Sequence, residues 1–208
     1  MNKLQDKNQI IEINKKLVER YPFLLPRNVF TDKLIEGYNY EHTWYDDLEK
    51  GWQIGFGEFL LEDLKEALVK TNFLNDFRFN QIKEKYGTLR LYTNGVPEEV
   101  QNVLDKYEFI SQCICVRCGS PNACIVDNYG WYQPLCRYCW DKANEWRKEK
   151  GYKIKSYEEA VGEELYELPN SYTIERHSKG KTEKIIYDIS ETTQKIREAY
   201  KIRKAKQC

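Results

Sequence analysis

Histidine is nearly missing from this chain: His42 and His177 are the two in 208 residues. General-base chemistry and mixed-ligand metal sites draw heavily on imidazole, so few arrangements of either kind remain open. An excess of one charge is missing too. Thirty-three basic residues balance 33 acidic ones, which excludes a chain-wide positive field for nucleic acid or anionic lipid but leaves room for a local patch. No apolar run approaches the roughly 18 residues of a membrane span, and Met1–Asp6 holds no apolar signal-peptide core, so no membrane partner is expected. The phosphate loop G-x-x-x-x-G-K-[ST], the dinucleotide fingerprint G-x-G-x-x-G and the hydrolase elbow G-x-S-x-G are all absent.

What is present is enough apolar material to fold. Leu, Ile, Val and Phe supply 50 of the 208 residues, above the ~20% below which chains stay disordered. The length suits one medium domain or two small ones. Periodicity and turn residues divide it into an N-terminal α+β region (1–112), a cysteine module (113–150) and a closing unit (151–208). The predicted class is α+β: a helix–β-hairpin–helix core, a four-cysteine treble-clef or zinc-ribbon module, and a C-terminal β-hairpin followed by a basic helix.

In the first region Ile10, Ile13 and Leu17 recur at helical spacing. Pro22 and Pro26 interrupt them, and Tyr21–Pro26 reads as an ordered apolar loop packed on the core. The aromatics of Tyr38–Tyr45 read as core rather than as a binding surface. Phe56, Phe59, Leu60, Leu64, Ala67 and Leu68 form one helical stripe. Gly55-Phe-Gly57-Glu58 reads as its start, where free amides can meet an anion, although a plain helix start is the default. Phe77–Ile82 and Thr88–Thr93 are strand-like, Asn94-Gly95 is a turn signal, and Pro97 opens a helix reaching about Gln112. Near the C-terminus, Ser171–His177 and Thr182–Ile189 flank a turn containing Gly180, and Ser190 caps a helix on which Ile196, Ala199 and Tyr200 share a face.

The cysteines carry the sharpest signal. Six of the seven lie between positions 113 and 139. Cys115-Val-Arg-Cys118 and Cys136-Arg-Tyr-Cys139 give C-x₂-C-x₁₇-C-x₂-C, the spacing of a tetrahedral zinc site, because each tight turn aims two thiolates at one ion ~2.3 Å away. Gly119 follows the first pair, a hairpin pattern lies between the pairs, and a helical composition follows the second. One structural zinc ion per chain is the expectation. A disulfide framework needs an oxidising compartment, and a redox site needs one CxxC after a strand rather than two at zinc spacing. Cys113 and Cys124 read as buried thiols, with replacement of a named ligand as the alternative. Cys208 reads as incidental.

Two basic elements are candidate contact surfaces. Arg78, Lys83, Lys85 and Arg90 are interleaved with Phe77, Phe79, Tyr86 and Tyr92. Alternation on a strand would put cations on one face and aromatics on the other, which suits phosphate contact and stacking but equally suits a half-buried hairpin. Residues 190–208 hold six Lys/Arg against two Glu. Among them Lys195, Arg197, Lys201, Arg203 and Lys204 can meet phosphate or an acidic protein, or form a solvated face complementing the helix C-terminus. Asp46-Asp47 and Glu62-Asp63 read as solvated charge, and both histidines as surface or hydrogen-bonded structural residues.

The segments Tyr21-Pro-Phe-Leu-Leu-Pro-Arg-Asn28, Gly51-Trp52 followed by Phe56-Gly-Glu58, Gln81-Ile-Lys-Glu-Lys-Tyr-Gly-Thr-Leu-Arg-Leu-Tyr92, Cys115-x-x-Cys-Gly119 and Gly130-Trp-Tyr-Gln-Pro-Leu-Cys-x-x-Cys139 occur in this order. Over roughly residues 20–140 the chain resembles a group of proteins encoded by bacteriophages, prophages and some bacteria. The segment after about residue 150 departs from the short members and reads as an appended element with its own partner. The resemblance implies a mobile-element origin and life in a bacterial host cytoplasm. It carries over no catalytic residues.

A neutral, tyrosine-rich, histidine-poor chain with a closed metal site suits recognition more than catalysis. The expected function is therefore a zinc-stabilised interaction protein. Given the resemblance, it is an accessory factor that binds and inhibits a host protein, for example a defence or CRISPR effector. The first alternative is a nucleic-acid-binding protein using the zinc module, the 77–92 hairpin and the terminal helix. The second is a nucleotide-binding sponge or an enzyme with a pocket assembled from distant residues.

Overall fold

The computed structural model describes residues 3–28, 31, 33–162, 167–178 and 181–206. In chain order its elements are α1 (Lys3–Arg20), α2 (Lys50–Trp52), α3 (Glu58–Lys70), β1 (Phe79–Lys85), β2 (Thr88–Thr93) and α4 (Glu98–Ser111). There follow β3 (Cys124–Asn128), β4 (Trp131–Leu135), α5 (Arg137–Glu149), α6 (Tyr157–Val161), β5 (Ser171–Ser178), β6 (Lys181–Asp188) and α7 (Ser190–Ala205). The class is mixed α+β. The strands form three separate antiparallel hairpins, β1–β2, β3–β4 and β5–β6. The Gly180 turn, the side chain of His177 and Cys208 lie outside the described residues.

The helix carrying the Phe56–Leu68 stripe begins earlier than the periodicity suggests. α2 passes through a π-helical turn, Gln53–Gly57, directly into α3. Gly55-Phe-Gly57 is thus the interior of one continuous helix, not a start with free amides, and no anion site exists there. Burial follows the stripe: Phe56, Leu60, Leu64, Ala67 and Leu68 are buried, and Phe59 packs partly against them. α4 lies on this face with Val100, Leu104, Tyr107 and Ile110 turned inward. Tyr107 donates to Asp63 Oδ2 at 2.7 Å, and Lys106 pairs with the same carboxylate. Glu62 accepts from Arg20 and Tyr21. The Glu62-Asp63 pair therefore ties α3 to its neighbours, where solvated charge was expected.

The first hairpin closes on Tyr86 and Gly87, both at positive φ (53° and 79°), a two-residue turn that follows the strand twist. Lys85 pairs with Thr88 and Lys83 with Arg90. β1 starts two residues later than expected and continues to Lys85, while Phe77 is buried ahead of it. Asn94 closes the open end, accepting from Arg78 N–H and donating to Asp76 O. Ile82, Leu89 and Leu91 face the core.

The other surprises are polar. Ile10 and Ile13 on α1 are exposed, whereas Asn14 is buried and donates to Tyr40 O and Asp46 Oδ2. A satisfied amide can take an inward position that an apolar residue would otherwise fill. Tyr21, Phe23 and Leu24 pack on the core as expected, whereas the 38–45 aromatics divide. Trp44 and Tyr45 pack against the core, and Tyr38 pairs with Tyr40 nearer the surface. α7 is capped by Asp188, which accepts from Ser190 N–H at 2.8 Å; Ser190 is the first helical residue rather than the side-chain cap. The short helix α6 was not signalled by periodicity. Its Ser156 and Glu159 form a capping box.

α2 and the first cysteine pair meet backbone to backbone. A Cβ built on Gly51 would stand 2.1 Å from Cys115 O, and one on Gly119 would stand 2.7 Å from Gly51 O. Gly51 N–H donates to Val116 O at 2.8 Å, and Trp52 Nε1 donates to Ser111 O and Ile114 O at 3.2 and 3.1 Å. The two segments thus touch where any side chain would separate them. Gly51→Ala is expected to lower stability by about 3 kcal/mol or more in urea unfolding, in the range of severe overpacking. The exposed substitution Ile13→Ser should change it by about 0.5 kcal/mol or less.

Candidate metal centre

The centre is assembled from two turns that the backbone holds in place. After α4, Cys113 N–H donates to Ile110 O, and the chain enters a knuckle closed by Gly119 N–H to Cys115 O at 2.9 Å and Cys115 N–H to Ser120 O at 2.8 Å. Gly119 sits at φ 71°, the left-handed conformation such a turn needs. Val116 N–H then donates to Pro134 O, fastening the knuckle to β4. β3 and β4 pair from Cys124↔Leu135 to Asn128↔Trp131. Cys136 ends this hairpin as the residue before α5, and Cys139 lies in the first turn of that helix.

These elements bring Cys115, Cys118, Cys136 and Cys139 together with their sulfurs all within 4.8 Å of one another. Cys118 and Cys136 Sγ are 3.7 Å apart. A tetrahedron with metal–sulfur bonds of ~2.3 Å has edges of about 3.8 Å, so the spacing is that of ligands around one ion. Cys115, Cys136 and Cys139 are buried and Cys118 is half-buried. Hydrogen bonds from the Cys118 and Cys136 thiols favour the ionised form of Cys115, whereas burial and the neighbouring Cys115 sulfur push the pKa of Cys139 upward. Four thiolates this close repel one another unless a cation sits among them. Among the described residues this is the one group of metal-ligating side chains so arranged, and its spacing suggests a metal site.

The spare thiols lie outside the group. Cys113 Sγ lies 3.9 Å from Glu167 O, and burial, with Cys124 nearby, pushes its pKa up to about 11. Burial likewise raises Cys124. Both are inward-packed thiols, and none of the six described cysteines is in a disulfide.

The structure separates the basic candidates. Lys83, Lys85, Arg90 and Tyr92 share the outer face of the first hairpin, with Lys83 Nζ 5.0 Å from the centre of the Tyr92 ring. Cations and this aromatic therefore lie together, not on opposite faces. Arg90 is committed to Glu108 at 3.3 Å. Arg78 turns away, donating to Asn75 O and Phe77 O. On α7, Lys195 pairs with Glu191, Arg197 donates to Leu168 O, and Lys204 lies over Tyr200. Lys201 is exposed, and Arg203 is half-buried with one guanidinium nitrogen enclosed. No single surface gathers the whole set.

An unforeseen feature is the outer surface of the cysteine module. Tyr129, Trp131 and Trp146 are 64%, 63% and 58% exposed, and Tyr132, Tyr138 and Tyr152 are exposed as well. Arg147 Nη1 donates to Asn128 Oδ1 at 2.9 Å, and Asn128 is the cross-strand partner of Trp131. Arg147 and Arg117 both line a cleft of about 120 Å³ beside Trp131, between the hairpin and α5. A run of aromatics gives no sequence signal of its own exposure, because burial is the commoner fate of such rings.

Comparison of the chain with models of protein families, with curated proteins and with solved structures returns no match. The ligand assignment has its own expected outcome. Metal analysis of Cys118→Ser should show loss of the bound ion, while Cys113→Ala and Cys124→Ala should each retain one ion per chain.

Proposed function

We infer that this is a zinc-stabilised recognition protein. The observation that carries the reading is the thiol set: four sulfurs within 4.8 Å of one another would fill every position of one tetrahedral ion, leaving no place for a water to be activated. All-sulfur tetrahedral coordination favours zinc among the common divalent ions. Knuckle, hairpin, then a helix with the last two ligands at its N-terminal end follow the order of a treble clef. In that role the ion cross-links the Cys115–Gly119 knuckle to α5, a contribution on the order of 10 kcal/mol where a site does not preform.

Further support comes from His42. Its Nε2 sits at the surface 2.8 Å from Asp47 Oδ1, outside the thiol group. The module also displays exposed aromatic side chains, which are enriched in recognition surfaces. The resemblance to phage- and prophage-encoded proteins suggests an accessory factor acting in a bacterial host, and the partner favoured by the sequence is a host protein.

Cobalt substitution tests the closed site. The cobalt-loaded protein should show the intense visible bands of a tetrahedral thiolate complex, unchanged by added azide. Bands that shift with azide would reveal an open coordination position and overturn the purely structural role. Chelation of the ion should unfold the module, with loss of near-ultraviolet circular dichroism from its tryptophans.

A further inference from the structure

The cysteine module places one exposed aromatic, Trp131, in a cleft with two guanidinium groups, and this combination specifies a class of ligand. Trp131 begins β4 directly opposite Asn128, whose side chain holds Arg147 in place. The cleft beside Trp131 is lined by Arg117 and Arg147 and by no carboxylate. Arg117 is exposed, and Asp127, the acidic residue of the neighbouring strand, is already paired with Lys155 at 2.9 Å. An indole open to solvent, beside two guanidinium groups that form no ion pair among the described residues, suits a flat ring joined to an anion. The cleft between α3, α4 and α7 is different: Asp63, Glu66, Glu99 and Glu191 there face Lys70, Lys106 and Lys195, so acidic groups outnumber cations and the cleft does not favour an anion.

We propose that Trp131, with Arg117 and Arg147, binds single-stranded nucleic acid, the indole stacking on an unpaired base while the guanidiniums meet the flanking phosphates. Tyr129 and Trp146 are exposed on the same module but have neighbours of their own, Lys155 over the Tyr129 ring and Tyr152 beside Trp146, so the stacking role falls to Trp131. Aromatic stacking tolerates any base and requires an unpaired one, since a duplex hides the base faces. The phosphate contacts make the affinity fall as salt rises. This inference rests on the recognition reading above and replaces the host protein with a nucleic acid as partner.

The test is fluorescence anisotropy of the zinc-loaded full chain with labelled oligo(dT), oligo(U) and a hairpin duplex across a salt series. Supporting results are salt-sensitive binding of the single strands with weaker binding of the duplex. Trp131→Ala should weaken it by roughly tenfold or more, and Trp131→Phe should retain most of it. Arg117→Glu should weaken binding and reduce the salt dependence, whereas Lys16→Glu on the exposed side of α1 should leave both unchanged. Zinc content and melting temperature show that each variant is folded. No oligonucleotide binding at low salt, equal binding of duplex, or full binding by Trp131→Ala each overturns the proposal. If no oligonucleotide binds but a host protein is captured in a manner that Trp131→Ala abolishes, the nucleic-acid assignment fails while the recognition face stands. An open coordination position in the cobalt protein would instead remove the reading beneath it.

Discussion

The fold depends on two backbones being allowed to touch. Gly51 and Gly119 face each other across the contact between α2 and the knuckle, so the peptide groups hydrogen-bond directly and Trp52 reaches two carbonyls at the end of α4 and just beyond it. The consequence is thermodynamic coupling. The knuckle is placed by a helix belonging to the hydrophobic core, and that helix gains its buried tryptophan partners from the knuckle. Occupying the metal site therefore stabilises more than the short turn that carries the first two ligands, because shared contacts are not additive across such a junction.

Further along the chain the same logic repeats with different chemistry. Val116 bonds to β4, and Cys136 and Cys139 lead into α5, so the position of one helix is set jointly by hydrogen bonds and by sulfur. α6 covers the other side of the module, where Tyr157 donates to Leu135 O at 2.8 Å. The closing hairpin is joined to α4 through Tyr172 and Tyr187, which stack on each other and donate to Asn102. One buried cluster runs from Tyr21 to Ile196.

Much of this was legible where one physical rule dominates. Thiol spacing located the metal site, because two tight turns and a fixed bond length leave little freedom. The stripe on α3 and the limits of β2 followed from period alone. The rest depended on partners far away in sequence. Nothing local says that Asn14 is buried while Ile13 is not; the answer lies in Tyr40 and Asp46. The Gly55-Phe-Gly57 segment resembles a helix start because glycine is rare inside helices, and only the groups packed against that helix, Gly119 of the knuckle and the Tyr45 ring, explain small residues there. Cations and aromatics alternating in the first hairpin suggested opposite faces, but the paired strands put Lys83 and Tyr92 side by side.

Trp52 also has a history in time. Its indole N–H finds both acceptors at Ser111 and Ile114, and the last sulfur of the four-cysteine group beyond them belongs to Cys139. During synthesis the helix from Lys50 to Lys70 is therefore complete before its acceptors, 59 and 62 positions beyond Trp52, have been added. Until then the nascent segment carries an unfinished core, and the four-cysteine group is completed later still, at Cys139.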